Sequence, residues 1–425
     1  MGFNDHEPKF FLKFGGNSMK YGVLYHKYTK NLGDDIQAYA SSLFLPQIDY
    51  MVDREELDTF KSKDNEAVSV IMSAWMFRKK WNWPPAPSIY PLFVGTHLIT
   101  HTVHDKASSL STEPFEGIGG DYLRSYGPIG CRDIHTQNTL DRLSIDNYFS
   151  GCITLTLPKF EIKKEKKDYI CLVDVSDEVE RKIRDKLKNE NIEIKTFKHI
   201  NRDEKRQYYY FKWEERAKIV EERLKIYQNA KCVVTKRLHG TLPCLAMEVP
   251  VLWVLDIPDG VRFSPYKDWV RVVSSDDIIN DNHDFDFLNP TPNSDKYKET
   301  REALIKIVKD FIKENENINT SSEFIKTTYT EKQREKWQYN LMKNGLDKWL
   351  RPSMDMVIEI TKLKRKNLRL MEKNARLREK NAKLREKNKI LKLKSKSKEI
   401  STFQRIKNFI KKLLNKLFGN KKAGK

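Results

Sequence analysis

Between Tyr21 and Leu255 the chain alternates short apolar runs with longer amphipathic stretches, in two successive rounds. In the first round, strands are predicted at Tyr21–His26, Ile48–Val52, Ala67–Ala74, Leu92–His97 and Ile129–Arg132. A helix is predicted over Asp35–Phe44, and a second, capped by Asp133, reaches Leu143. Tyr148–Leu157 closes this half. In the second round, strands at Tyr169–Val175, Ile192–Phe197, Cys232–Thr235 and Val251–Leu255 alternate with helices at Asp177–Asn189, Trp213–Gln228 and Leu238–Met247. Strands alternating with helices predict parallel sheets covered on both faces. The polar segment Asp276–Thr300 reads as loop, and Tyr297–Ile312 as a closing helix.

The expected organisation is therefore two Rossmann-like domains, 1–160 and 161–316, with a charged connector at Glu161–Asp168. Residues 317–355 read as linker and helix, 356–396 as a basic coiled coil and 400–419 as an amphipathic helix. A pair of α/β units places its ligand in the cleft between them, at the carboxyl ends of the strands.

Charge separates the body from the tail. Residues 356–425 hold 25 Lys and Arg against 5 Asp and Glu, an excess that equals the net charge of +20 for the whole chain. Residues 1–355 are balanced at 54 of each sign. The basicity belongs to an appendage on a neutral globule, which argues against a nucleic-acid-binding body. The tail, for its part, lacks the interleaved aromatic residues of a single-strand binder. No signal-peptide pattern and no run of 18 apolar residues is present, and the five scattered cysteines read as free buried thiols. These features lead to the expectation of a cytoplasmic protein, peripheral on the inner face of the cell membrane.

Two loops carry chemistry. Asn31-Leu-Gly33-Asp34-Asp35 lies between the first strand and the first helix, where Gly33 permits a tight turn with exposed backbone N–H groups. Asp34 or Asp35 is also available simply to cap the helix. Lys236-Arg237-Leu-His239-Gly240 follows the strand Cys232–Thr235 and opens a helix, bringing a cation, an imidazole and a helix N-terminus to one point. That combination suits a phosphate or a carboxylate.

With its surroundings, the segment running from Cys232 through Arg237-Leu-His239-Gly240 to Val249-Pro-Val251 resembles the most characteristic stretch of the polysaccharide pyruvyl transferase family. Asn31-Leu-Gly33-Asp34 is similar to that family's Asn-x-Gly-Asp loop, and Gly130-Cys-Arg132-Asp133 to its Arg-Asp strand end. Phe149-Ser-Gly151-Cys152 resembles a third turn, where the family often has Asp in the place of Cys152. The resemblance implies a GT-B-like arrangement of the two domains. It also implies transfer of the enolpyruvyl unit of phosphoenolpyruvate to a sugar as a cyclic ketal, with phosphoenolpyruvate as substrate and no cofactor or metal.

Such a donor needs fixed cations, and Arg132 and Arg237 are the natural clamps. Managing the protons needs a group that titrates near neutrality, for which His239 is the candidate. Asn31, Gly33, Asp34 and Gly240 complete the expected substrate-binding set. Each choice has a plainer alternative: Arg132 as an ion pair with Asp133, Arg237 as a brace, His239 as a cap. His97, His101 and His104 have spacings open to metal ligation, although the segment reads as a strand leaving its sheet. Other functional readings are a glycosyltransferase using a nucleotide sugar, with Glu248 at a ribose, and a non-catalytic glycan-assembly scaffold.

In the tail, leucines fall every seven residues from Leu363 to Leu391, each of the first four followed four residues later by asparagine, at 367, 374, 381 and 388. This is a coiled-coil heptad with almost wholly basic flanks, which calls for a screened homodimer or an acidic partner; a single solvated helix is the alternative. Between Phe403 and Phe418 eight large apolar residues recur at three- and four-residue spacing among lysines, up to Gly419. That stripe predicts a helix lying on an anionic membrane surface, with a glycan or lipid-linked sugar as the acceptor brought to the body.

Overall fold

A computed structural model describes residues 10–12, 18–63, 66–76, 82–98, 112–161, 168–200, 210–256, 262–316, 318, 325–327 and 329–350. In the tail it describes 370–371, 373–374, 376–381, 383–385, 387–388 and 403–412. The chain divides into two compact units, Met1–Gly345 and Leu346–Lys425.

In the first unit, β1 (Phe10–Leu12) pairs antiparallel with β15 (Ile325–Thr327), and every other strand pairing among the described strands is parallel. The first sheet is built from β2 (Lys20–Tyr25), β3 (Tyr50–Asp53), β4 (Val68–Ile71) and β6 (Ile89–Leu92), in the order β3-β2-β4-β6. Every residue of the Val-Ser-Val-Ile strand β4 is buried, as expected of a strand covered on both faces. Short pairs continue the parallel pattern: β5 (Trp75–Met76) with β7 (His97–Leu98), and β8 (Ile129–Cys131) with β9 (Asn147–Phe149). Backbone bonds from Gly130 N to Phe93 O and from Arg132 N to Thr96 O, each 2.9 Å, carry the pairing from the segment after β6 across to β8.

The second sheet has the order β11-β10-β12-β13-β14, from β10 (Tyr169–Val173), β11 (Glu193–Phe197), β12 (Val233–Thr235), β13 (Val251–Val254) and β14 (Arg271–Val273). In both sheets the second strand in sequence lies outside the first, and the third lies on the first strand's other side. Each sheet therefore has a topological switch point, between β2 and β4 and between β10 and β12, where α/β folds hold ligands.

Helices α1 (Leu32–Ser42), α2 (Gly117–Ser125), α3 (Ile134–Arg142), α4 (Asp177–Lys186), α5 (Trp213–Gln228), α6 (Leu238–Ala246), α7 (Ser275–Ile279) and α8 (Tyr297–Glu316) belong to this unit, and α9 (Glu331–Leu350) begins in it and ends past Gly345. One apolar core runs through both halves, from Leu32, Ile36 and Ile71 to Val233, Leu242 and Trp253. The halves are also pinned by polar bonds. The fully buried Asp35 on α1 receives the Arg216 guanidinium of α5 at both oxygens, and loss of either partner would cost about 3–5 kcal/mol by leaving a buried charge unpaired. Helix α8 returns from the second half to the first, where Asn315 Nδ2 donates to Ser69 Oγ on β4 at 2.8 Å.

Several expectations need correction. The single strand expected over Leu92–His97 is split between β6 and β7, with Gly95 at a φ of +61° between them. The closing segment Tyr148–Leu157 is strand only as far as Phe149, and a 3-10 turn covers Ile153–Thr156. Helix α1 starts three residues before the predicted Asp35, and the Asp276–Thr300 loop includes most of α7. All five cysteines are buried free thiols.

Candidate active site

The loop after β2 is organised around Asn31, not around the acidic residues that follow it. Asn31 Oδ1 accepts from Gly33 N at 3.1 Å and so caps α1. Asp34 turns to Thr29 Oγ1 at 2.6 Å, Arg54 Nη1 at 3.3 Å and His26 Nδ1 at 3.5 Å. Burial pushes the Asp34 carboxyl up, but Arg54, His26 and Thr29 together hold it well below the usual carboxylate range. With Asp35 committed to Arg216, neither acid caps the helix. Asp34 braces the loop from behind.

In the second half, the backbone N–H of Arg237 donates to Thr235 Oγ1 at 3.0 Å, and Arg237 occupies the cap position of α6. Its Nε donates to Asp174 Oδ2 at 2.7 Å, which fixes the stem while the side chain stays 36% exposed. Asp174 ends β10 in the left-handed region, at a φ of +53°, and the same oxygen accepts the His199 N–H at 3.0 Å. Gly240 packs on its own strand, since a β-carbon there would meet Thr235 Oγ1 at 2.6 Å. Its position serves helix packing against β12.

His239, in the first turn of α6, joins the two halves. A β-carbon on Gly33 would lie 2.8 Å from His239 Nδ1, so the imidazole rests directly on the Asn31–Gly33 turn. On its other side Nε2 lies 3.7 Å from Cys152 Sγ, and that sulfur also takes contacts from Gln37 Nε2 at 3.7 Å and Thr154 Oγ1 at 3.4 Å. Three segments far apart in sequence therefore meet at one ring. Burial first, and the Arg132 guanidinium second, push the His239 imidazole down to about 3. The sequence-based expectation of a group near neutrality is corrected: in the free protein this histidine is neutral.

Arg132 completes the cluster. Its backbone is locked by the bond to Thr96 O and by the Tyr266 hydroxyl, which donates to its carbonyl. Its guanidinium is fully buried, yet Nε, Nη1 and Nη2 have no hydrogen-bond partner among the described residues. Asp133 Oδ2 lies 3.8 Å from Nε, but Asp133 is committed to His97 Nδ1 at 2.5 Å and, through Oδ1, to the N–H and hydroxyl of Thr136 at 2.9 Å. Arg132 also lies 5.7 Å from the Trp75 ring centroid, so its face is partly stacked while its donors stay unused. A buried cation with idle donors is costly unless an anion completes it.

Residues 31–256 match the family model for polysaccharide pyruvyl transferase, a span that opens at the capping Asn31 and includes Arg132, Cys152 and His239. The chain belongs to that family. As a polysaccharide pyruvyl transferase family member it is a transferase, and its Asn-x-Gly-Asp and Arg-Leu-His-Gly segments meet at His239, where the charge of Arg132 from the Arg-Asp segment is also felt. Among solved structures, UDP-GlcNAc 2-epimerase from Methanocaldococcus jannaschii is similar at 10% identity and a TM-score of 0.36, covering 68% of this chain and 99% of that one. The S. aureus MnaA–UDP co-structure is similar at 9% identity and a TM-score of 0.28, covering 78% of this chain and 97% of that one. Overlap at this level carries no information about substrate. No curated protein matches the chain.

The structure thus brings together His239, Gly33, Asn31 and Arg132, sets Arg237 at the next strand end, and leaves Asp34 and Gly240 in supporting contacts. Glu248, the ribose contact of the nucleotide-sugar reading, lies past the far end of α6, paired with Lys159 on the surface. His97 is held by Asp133, while His101 and His104 lie outside the described residues. Asp174 and His199 were not legible as site residues. Both follow short strands whose ends become neighbours only through the β11-β10-β12 order.

Proposed function

We propose that the protein transfers the pyruvyl unit of phosphoenolpyruvate to two hydroxyls of a glycan sugar, closing a ketal, in the cleft between two halves in a GT-B-like arrangement. The observation that carries this reading is the fully buried Arg132 guanidinium with three idle nitrogens, whose charge is felt at His239. A phosphoenolpyruvate carboxylate or phosphate supplies the missing acceptors in bidentate fashion. The exposed end of Arg237, steadied by Asp174, takes the second anionic group. Asn31 and Gly33 form the wall against which His239 and the reactants are held.

In the reaction, the donor methylene takes a proton and becomes methyl, and one sugar hydroxyl adds to the adjacent carbon with loss of its proton. The carbon–oxygen bond to phosphate breaks, phosphate leaves with the electron pair, and the second hydroxyl closes the ring. Two hydroxyl protons are released, one replaced at carbon and one carried off by phosphate. His239 is neutral in the free protein but only a weak base there, because burial and Arg132 disfavour its protonated form. A bound donor offsets the Arg132 charge and raises the imidazole's basicity, which lets it hold and return a hydroxyl proton.

The acceptor is proposed to be a nascent or lipid-linked surface glycan. The test is phosphate release from phosphoenolpyruvate in the presence of a sugar diol. Wild-type protein is expected to turn over, and His239→Ala to lose about 100- to 10,000-fold in kcat with its fold intact. Turnover with a nucleotide sugar and none with phosphoenolpyruvate would overturn the assignment.

A further inference from the structure

The tail is described as helix at 403–412, and there Phe403, Ile406, Phe409 and Ile410 are 71%, 51%, 65% and 50% exposed. At 3.6 residues per turn these four fall within an arc of about 120°, while Arg405, Lys407, Lys411 and Lys412 lie outside it. A soluble helix does not leave two phenylalanines and two isoleucines on one face in water unless something covers them. The helical residues described between 370 and 388 are likewise all exposed, and they are rich in Lys and Arg. Among the described residues no helix is long and apolar enough to cross a membrane.

We propose that 403–412 docks in the plane of a lipid bilayer bearing anionic headgroups, with its aromatic and branched side chains below the headgroups and its cations among them. Three observations select this occupant. The excess of 20 positive charges in residues 356–425 is complementary to an anionic surface, and the balanced body is not. An apolar face flanked by lysines, whose long stems keep the ammonium groups in water while the ring sinks, is the pattern of an interfacial helix. A nucleic-acid backbone would use the cations but leave the four apolar side chains in water, and a second copy would cover the apolar face but supply no counter-charge to the cations. The inference is independent of the donor assigned above.

The experiment is co-sedimentation of the full-length protein with phosphatidylcholine vesicles and with phosphatidylcholine–phosphatidylglycerol vesicles at physiological salt. Binding to the mixed vesicles is expected to be at least about tenfold tighter than to the neutral ones. A full-length variant carrying Phe403→Ser, Ile406→Ser, Phe409→Ser and Ile410→Ser is expected to lose at least about tenfold of that binding. Lys407→Gln, Lys411→Gln and Lys412→Gln together are expected to weaken binding to the mixed vesicles at least about tenfold, with the remaining basic residues of 356–425 keeping a reduced preference for anionic lipid. Wild-type protein left in solution with mixed vesicles would overturn the proposal and point to an acidic protein or nucleic acid. Retention of binding by the serine variant would overturn insertion and leave adsorption by charge alone.

Discussion

The Nδ1 of His239 rests on the α-carbon of Gly33, so that a methyl group at residue 33 would stand 2.8 Å from the ring nitrogen. The contact ties the first helix of one half to the first turn of α6 in the other. Gly33→Ala must therefore push the imidazole out of place or open the cleft. Since small misplacements of a reacting group cost about 100-fold, kcat is expected to fall about that much while donor affinity changes far less. Steady-state kinetics with a parallel donor titration separates the two effects.

Cys152 offers a sharper probe of the same ring. Its sulfur lies 3.7 Å from His239 Nε2, where other family members often carry Asp. Cys152→Asp puts a carboxylate beside an imidazole that burial and Arg132 hold down near 3, and a nearby anion raises a histidine. The acidic limb of the pH–rate profile is expected to move upward by about one unit or more in this variant. An unmoved profile would mean that His239 does not titrate in the reaction.

Buried histidines also set the response of the fold to acid. Burial pushes His239 and His199 down to about 3 and His97 to about 4, the last against the opposing pull of Asp133. Each binds a proton more readily when unfolded, below its ordinary value of 6.5, than when folded. The unfolded state therefore gains protons as pH falls through about 6.5, and stability declines with it, by up to about 1.4 kcal/mol per pH unit for each histidine. Denaturant unfolding at a series of pH values is expected to show loss beginning near pH 6.5.

Leu370, Leu377 and Leu384 are 44–47% exposed in the single chain, at the spacing of a heptad seam. We expect them to mediate association, as a homodimer whose basic flanks are screened by salt or with an acidic partner. Sedimentation is expected to show a dimer that grows with salt concentration. A monomer at every salt concentration, with no acidic partner bound, would remove the coiled coil.

Much of this body was legible in the sequence because each strand and helix carries its own pattern. The Trp213–Gln228 helix coincides with its predicted bounds, and β10 and β12 fall within their predicted runs. What was not legible arises from contacts between segments. Gly95 divides the run from Leu92 to His97 because the backbone turns there, and the isolated glycine is the only mark of that turn in the residue pattern. Asn31 takes the capping role from Asp34 because Arg54, 20 residues away, claims the carboxylate. The residue types of the site were readable from motifs, but the depressed basicity of His239 depends on burial and on Arg132, which lies 107 positions before it and reaches it only in the fold.

The central claim is that the idle guanidinium of Arg132 is completed by phosphoenolpyruvate, and calorimetric titration of that donor into full-length protein in excess chelator tests it most directly. Saturable binding by the wild type is expected, with at least about tenfold weaker binding by Arg132→Met, which fills the same buried space without a charge. Saturable binding of a nucleotide sugar with none of phosphoenolpyruvate, or equal phosphoenolpyruvate affinity in Arg132→Met, would contradict it.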